Sequence, residues 1–404
     1  MMTPSIRAPL VCALLAFGSP ALAQEVQDPA ETARFRWGPI RFTPTLEITS
    51  LGTDSNVFNE VNNPRSDFTA AVGPAVKLWM RPFRTRLSAT TGGQYLYFKK
   101  YDDQRAWNTN NEAKWEVPLA RLTPFVAGTY TNSRERQGFE IDSRSRRRDS
   151  SVTVGTGLRL SGKTAFVVSH RRFRAKYDEE ETSIGTALAK ALNRREDATT
   201  VQFRYALTPL TTFVVDTEMG RDRFVVSKFR DTDSIKVLPG FELNPLALIS
   251  GTVFVGYRQF DPISTGLPDY RGIIAAVKAK YTHSATQFEL RVDRDVEYSF
   301  EPTQPYYVLL NSGLTVTQRV TQRWDVQGRG SVQRLAYKDL DTAQPGKGRV
   351  DRGREFGGGI GYRVRETVRF GVNASHATRR SPVEGLRNFE GTRVFASITY
   401  GTQQ

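Results

Sequence analysis

The chain has 404 residues, 57 Lys+Arg against 42 Asp+Glu for a formal charge of +15, and one cysteine, Cys12. That cysteine falls inside an expected export signal, so the mature chain should contain none, which excludes disulfides, thiol catalysis and cysteine-ligated metal. No later segment approaches the roughly 18 consecutive apolar residues of a membrane-spanning helix, and no Pro/Gly/Ser-rich linker splits the chain, so one continuous architecture is expected.

At the N-terminus Arg7 precedes an apolar run from Ala8 to Phe17, and Ala21-Leu22-Ala23 supplies small residues before Gln24. This is the layout of a secretory signal cut after Ala23. Pro9-Leu10-Val11 before Cys12 is not the small-residue context of a lipoprotein site. Residues 1–23 are therefore expected to be the signal, 24–39 a short periplasmic segment, and 40–404 a barrel in the outer membrane.

From Arg41 to Tyr400 stretches of about ten residues alternate apolar with polar and are separated by breaks. Strands crossing lipid as a closed barrel are written this way, with a lipid-facing side chain following each lumen-facing one. The clearest stretches are 67–80, 151–161, 200–207, 250–258, 287–300, 355–365 and 393–400. Between 151 and 161, Val152, Val154, Leu158 and Leu160 oppose Ser151, Thr153, Gly155, Gly157 and Arg159. Between 287 and 300, Phe288, Leu290, Val292, Val296, Tyr298 and Phe300 oppose Glu289, Arg291, Asp293, Asp295 and Glu297, with Arg294 the exception. A one-residue slip would turn those five ionisable groups to lipid at up to about 2–4 kcal/mol each near the midplane. Facing is thus well determined.

Breaks of two kinds alternate. Short ones fall near Arg81-Pro82, Ala120-Arg121, Ser161-Gly162-Lys163, Thr208-Pro209, Asn244-Pro245, His283-Ser284, Thr321-Gln322 and Arg365-Glu366, with long ones between them. The expected fold class is all-β: a transmembrane antiparallel up-and-down β-barrel of about 18 strands, with short periplasmic turns and long external loops. A secreted solenoid or propeller also repeats short strands, but here the repeat length wanders and no motif recurs in register.

A barrel of that size leaves an aqueous channel, so transport is the default function. By alternation Lys77, Arg159, Arg204, Arg258, Lys278, Lys280, Arg319, Arg363, Arg365 and Arg393 point inward. A basic passage concentrates anions. Against this, Asp216, Glu218 and Asp222, and Glu289, Asp293, Asp295 and Glu297, lie on neighbouring strands, where they would neutralise the wall instead. Both readings stay open. Arg144, Arg146, Arg147 and Arg148 form a basic cluster on an expected external loop, either solvated or binding lipopolysaccharide phosphates or an acidic polysaccharide. A second loop carries Asp178 to Glu181, then Ile184, Leu188 and Leu192 at helical spacing, which predicts a short amphipathic helix packing at the rim or entering the pore.

Catalysis lacks a basis in the sequence. His170, His283 and His376 each have a serine neighbour in sequence (Ser169, Ser284, Ser375), but neighbours on a strand point to opposite faces. The acidic run at Asp178 reads as solvated rather than as a Ca²⁺ site. No enzyme activity, metal or cofactor is expected, and export removes the chain from nucleic acid.

After the first predicted strand comes Gly52-Thr53-Asp54-Ser55-Asn56-Val57-Phe58. With the hairpin layout and the final alternating strand from Thr392 to Tyr400, this resembles the β-barrel porin family often found with capsular and exopolysaccharide export loci. The resemblance implies an outer-membrane barrel that takes part in exporting an extracellular polysaccharide. From the residues themselves, Asp54 and Asn56 can bond local backbone in an Asx-type turn, with Val57 and Phe58 anchoring the loop at the membrane edge. Two other functions remain: a general or anion-preferring diffusion porin, and a non-conducting barrel whose loops bind a partner or surface polymer. Expected partners are outer-membrane lipid and lipopolysaccharide, an anionic polysaccharide or small anionic solute, and the assembly machinery that reads the C-terminal strand, here followed by Gly401 to Gln404.

Overall fold

The computed structural model describes residues 33–340, 348–365, 367–383 and 387–401. The expected export signal lies outside the described residues, as do Glu366 of the last short break and residues 402–404. Eighteen long strands form the barrel: β1 (Ile40–Asp54), β2 (Asp67–Met80), β3 (Arg86–Phe98), β4 (Ala106–Glu116), β5 (Leu122–Arg136), β6 (Arg144–Arg159), β7 (Thr164–Tyr177), β8 (Arg194–Thr208), β9 (Thr211–Phe224), β10 (Thr232–Leu243), β11 (Ile249–Pro262), β12 (Tyr270–His283), β13 (Thr286–Tyr298), β14 (Tyr306–Arg319), β15 (Trp324–Lys338), β16 (Val350–Arg365), β17 (Val368–Arg380) and β18 (Phe389–Tyr400). Each pairs antiparallel with the next, and β1 pairs with β18 through Glu47↔Thr399 and Asp54↔Arg393, which closes the cylinder and removes both sheet edges. Within the expected segment 24–39, Phe35–Trp37 folds back on Ile40–Phe42 through Gly38, whose φ of 56° suits glycine.

The alternation decides facing as expected. Val152 and Val154 are 55% and 56% exposed on the lipid side while Thr153 between them is 3% exposed. Short turns use local hydrogen bonds: the hydroxyls of Ser161, Thr208 and Thr321 and the Asn244 amide oxygen accept from backbone N–H groups two residues on.

Two expectations change. Strands run 11 to 16 residues, most of them longer than the roughly 9–11 needed to span lipid, so several residues of the longer ones stand above the membrane. There both faces are wet, alternation is no longer required, and the sequence resembles a loop while the ladder continues. Arg144 to Arg148 consequently begin β6 instead of lying in a loop. The second change concerns residues 287–300. Their apolar side chains do not all face lipid: Val296 and Phe300 are buried. The β12–β13 ladder stops at Ala275↔Arg294, whereas β13 stays paired with β14 up to Tyr298↔Tyr306. Above that point the β13–β14 hairpin tips into the barrel, and the four consecutive residues Tyr306, Tyr307, Val308 and Leu309 are all buried.

Candidate functional site in the lumen

The lumen is built differently at its two ends. Toward the outside, β7 to β13 carry an interlocked set of ions. Asp295 takes Arg258 at 2.6 Å and Lys236 at 3.1 Å. Lys236 also reaches Glu218 at 3.5 Å, and Glu218 lies 3.8 Å from Arg171, which bonds Glu196. Asp222 sits 3.8 Å from Arg194 and accepts the Tyr298 hydroxyl at 2.8 Å. This set draws the tipped β13–β14 hairpin against β9 to β11. Leu238, Phe254, Phe260, Ile274, Val296 and Tyr306 then pack into one apolar cluster inside the barrel.

A second crossing element is the loop 137–143, between β5 and β6. Glu140 accepts from Ser299 Oγ at 2.6 Å and from the Phe300 amide at 3.1 Å. These partners lie in the loop between β13 and β14, eight strands away in a ring of eighteen, so the loop and the tipped hairpin meet across the lumen. Its far side is clamped by β17 and the chain after it: Arg379 donates to the Glu140 carbonyl at 3.3 Å and pairs with Asp142 at 3.0 Å and Asp351 at 2.9 Å. Arg387, fully buried, donates to the same carbonyl at 3.2 Å and pairs with Glu301. Burial raises the Glu140 carboxyl above its ordinary value, against the pull of Arg387 and the two hydrogen bonds. In the β9–β10 loop, burial lowers Arg230 to about 10, and it donates to the carbonyls of Ser299, Pro305 and Glu301.

The predicted loop helix exists as Leu188–Leu192 (α1), with Leu188 and Leu192 buried against Ile141, Tyr177 and Phe300, so it joins the crossing loops. Ile184 is not part of it; that residue is exposed in a turn at φ 46°. In the acidic run, Asp178 pairs with Arg148 at 3.0 Å, and Glu181 accepts from the Arg146 amide at 2.9 Å.

Beside the crossing loop a cavity of about 150 Å³ remains against the β1–β3 wall, lined by Thr49, Asp54, Phe98, Glu135, Arg136, Arg144, Arg393 and Phe395 among others. Around Glu140 and Asp142 the space divides into cavities of about 40 and 30 Å³, room for little more than waters. The larger gap carries three guanidinium groups. Arg136 and Arg144 both donate to the Val57 carbonyl at 2.6 Å, and Arg393 pairs with Asp54 at 2.9 Å. Arg144 also lies over the Phe98 ring at 4.6 Å.

The expected basic cluster is therefore divided. Arg144 turns to the gap, Arg147 is buried and pairs with Asp149 at 2.7 Å, Arg146 donates to Asn132 at 3.2 Å, and Arg148 meets Asp178. The Asp54-Ser55-Asn56-Val57-Phe58 stretch is a staple. The Asn56 amide N–H donates to Asp54 at 2.9 Å as an Asx turn, its side chain donates to the Glu60 and Glu390 carbonyls, and Ser55 exchanges bonds with Thr392 on β18. Val57 is fully buried and thus not at the membrane edge, while Phe58 packs edge-on to Tyr101 beneath Arg65.

Of the ten inward cations expected, four are ion-paired: Arg204 with Glu242 at 2.5 Å, Arg258 with Asp295, Arg363 with Asp325 at 3.4 Å and Arg393 with Asp54. Lys77, Arg159, Lys278, Lys280 and Arg319 face the lumen near the periplasmic ends of β2, β6, β12 and β14 and have no acid within ion-pair distance among the described residues. Arg365 leaves the set, because a bulge pairs it with Val368 in the outward row of Tyr400. The pattern did not single out Glu140, Arg379, Arg387, Arg136 or Arg230. The available signal was Phe139 and Ile141, two large apolar side chains in a loop expected to be external.

The fold has solved counterparts. OccK2 (OpdF) of Pseudomonas aeruginosa, solved in complex with glucuronate, matches with a TM-score of 0.50 at 8% identity over 89% of this chain and 98% of its own. A BenF-like porin from Pseudomonas fluorescens Pf-5 matches at 0.48 and 11% identity over 90% and 99%. At such identities the first likeness bears on the fold alone, and the second carries no argument. No curated protein sequence matches the chain significantly. The family described as "putative beta-barrel porin 2" matches residues 28–401. With its closed eighteen-stranded wall, the chain belongs to that family of outer-membrane porin-type barrels.

Proposed function

We propose that the protein is a diffusion channel for small anionic solutes, with the gap lined by Arg136, Arg144 and Arg393 as its narrow point. The observation that carries this reading is the set of five lumen-facing cations without acids at the periplasmic end. Their charge stands in a low-dielectric tube and raises the local concentration of anions. The gap adds a selective step, since guanidinium groups recognise carboxylates and Phe98 and Phe395 offer apolar surface to the body of such a solute. Export of a polysaccharide, which the resemblance implies, would need a wide path past the loop 137–143 and the tipped β13–β14 hairpin. Both are held by several hydrogen bonds and ion pairs.

The test is reversal-potential measurement on the refolded barrel in planar bilayers under a KCl gradient. Chloride is expected to permeate faster than potassium, and Lys77→Glu, Lys278→Glu and Lys280→Glu together should invert the preference. A wild-type ratio near one overturns the anion reading, and absence of any conductance favours the binding barrel. In liposome-swelling assays glucuronate should permeate faster than a neutral hexose. Exclusion of both, with current block by an acidic polysaccharide added on the periplasmic side, would support export.

A further inference from the structure

On the outward face of the barrel, Arg334 of β15, Arg352 of β16 and Arg380 of β17 form one lateral row, each directly opposite the next in the register. Arg354 stands one outward position nearer the membrane on β16. All four side chains are exposed, and none has an acid within ion-pair distance among the described residues. Strands lie about 4.8 Å apart, so the row holds three positive charges within about 10 Å, an arrangement that destabilises a sheet unless an anion answers it.

The other outward basic surface, on β6 to β10, is answered by the protein in part: acids meet four of its arginines, while Arg174 and Lys176 stand exposed beside them. Arg148 pairs with Asp178 at 3.0 Å, Arg172 and Arg195 with Asp197 at 2.7 and 2.8 Å, and Arg223 with Asp233 at 2.6 Å. On the outward face of β15 to β18 the acid among described residues is Glu390, which stands opposite Thr378 and contacts none of the four arginines. Toward the membrane the same face carries Val332, level with Arg354, then Phe356 opposite His376, and farther on Val372, all exposed. The row therefore sits just outside the hydrocarbon, at the level of the outer-leaflet headgroups.

We propose that this arginine row binds the phosphate groups of lipopolysaccharide in the outer leaflet. Guanidinium groups pair with phosphate oxygens in a bidentate fork, while the acyl chains lie along Val332, Phe356 and Val372. The bound lipid would supply the anion that the β15–β17 wall lacks.

The full refolded barrel in detergent is titrated with purified lipopolysaccharide, with the same material after enzymatic dephosphorylation, and with an acidic, phosphate-free capsular polymer. The wild type is expected to bind the phosphorylated form at least tenfold more tightly than the dephosphorylated one. Arg334→Gln, Arg352→Gln and Arg380→Gln together should abolish that difference. Arg148→Gln, Arg172→Gln and Arg195→Gln should leave it in place, and the heat-dependent gel mobility of both triples checks that they are folded. If the first triple does not fold, Arg352→Gln alone serves and should lose several-fold. Equal binding by wild type and the first triple, indifference to dephosphorylation, or stronger binding of the phosphate-free polymer to the row overturns the assignment.

Discussion

At the outer end of the lumen Asp295 serves two cations, Arg258 and Lys236, whose side chains are each 7% exposed. At the periplasmic end Lys278 stands opposite Arg291, and Lys280 opposite Glu289, without an ion pair for either lysine. Both sets sit on neighbouring strands of one wall and point the same way. They differ in what surrounds them. In the outer half the tipped hairpin and the loop 137–143 displace water, and a charge taken out of water must be paired or it costs several kcal/mol. In the periplasmic half the lumen is wet, so an unpaired lysine costs little and its field is available to solutes. Charge at one end acts as structure, and charge at the other, on the proposed function, as selectivity.

The largest effect is expected at Asp295. Asp295→Asn leaves Arg258 and Lys236 buried without their shared acid, and loss of one partner of a buried pair costs about 3–5 kcal/mol. About 3 kcal/mol is expected, since Asp295 itself is 30% exposed. Urea unfolding in lipid vesicles should show the lower midpoint, and bilayer recordings a larger conductance as the β13–β14 hairpin loosens. An unchanged midpoint would mean that the outer ions do not lock the plug. Next comes Asn56→Ala, which strands the Glu60 amide and the Glu60 and Glu390 carbonyls. About 1–3 kcal/mol is expected for groups left unsatisfied. Faster hydrogen exchange should appear at residues 54–60 and 389–393, where the first loop is stapled to β18. Exchange spread evenly around the barrel would argue against a local staple. Lys278→Gln with Lys280→Gln should shift stability by no more than about 0.5 kcal/mol while lowering the chloride preference. A large loss of stability there would erase the distinction between the two ends.

The wall was legible because lipid enforces it. Val152, Thr153 and Val154 cannot exchange faces without burying polar groups in hydrocarbon, so eighteen strands and most facings follow from a local pattern. Legibility stopped where the lipid stops. Arg144 to Arg148 continue a ladder in a region where either face tolerates arginine. Val296 and Phe300 keep the alternation of a lipid-facing strand, yet the β12–β13 ladder has already ended and they turn into the barrel. The Asx turn at Asp54 was readable from two residues two positions apart, whereas the bond from Asn56 to Glu390 joins positions 334 residues apart. Glu140 was out of reach for the same reason: its partners Ser299 and Phe300 come from a loop with no sequence relation to its own. For the inward cations the pattern supplied position without partner, and only the fold separated the paired Arg204 and Arg258 from the unpaired Lys278 and Lys280.

The smallest expected effect probes how tightly the plug is seated. The Glu140 carboxyl, buried in the crossing loop, has its pKa raised from 4.5 chiefly by burial. A raised acid means that the seated loop binds more protons than the released one between its ordinary and its raised value. The stabilisation is complete below about pH 4.5 and is lost as pH climbs through the raised value. Conductance should therefore increase modestly as pH rises from about 4 through the raised value, because ionised Glu140 favours release of the loop from Ser299 and Phe300. Glu140→Gln carries a neutral group of the same shape and should hold the low-pH conductance across that range. A wild type whose conductance falls with rising pH reverses the sign. A Glu140→Gln variant that keeps the full pH response moves its origin to another group. Either result would detach the seating of the loop from its buried acid and leave Arg379 and Arg387, which hold the Glu140 carbonyl irrespective of pH, as its principal anchors.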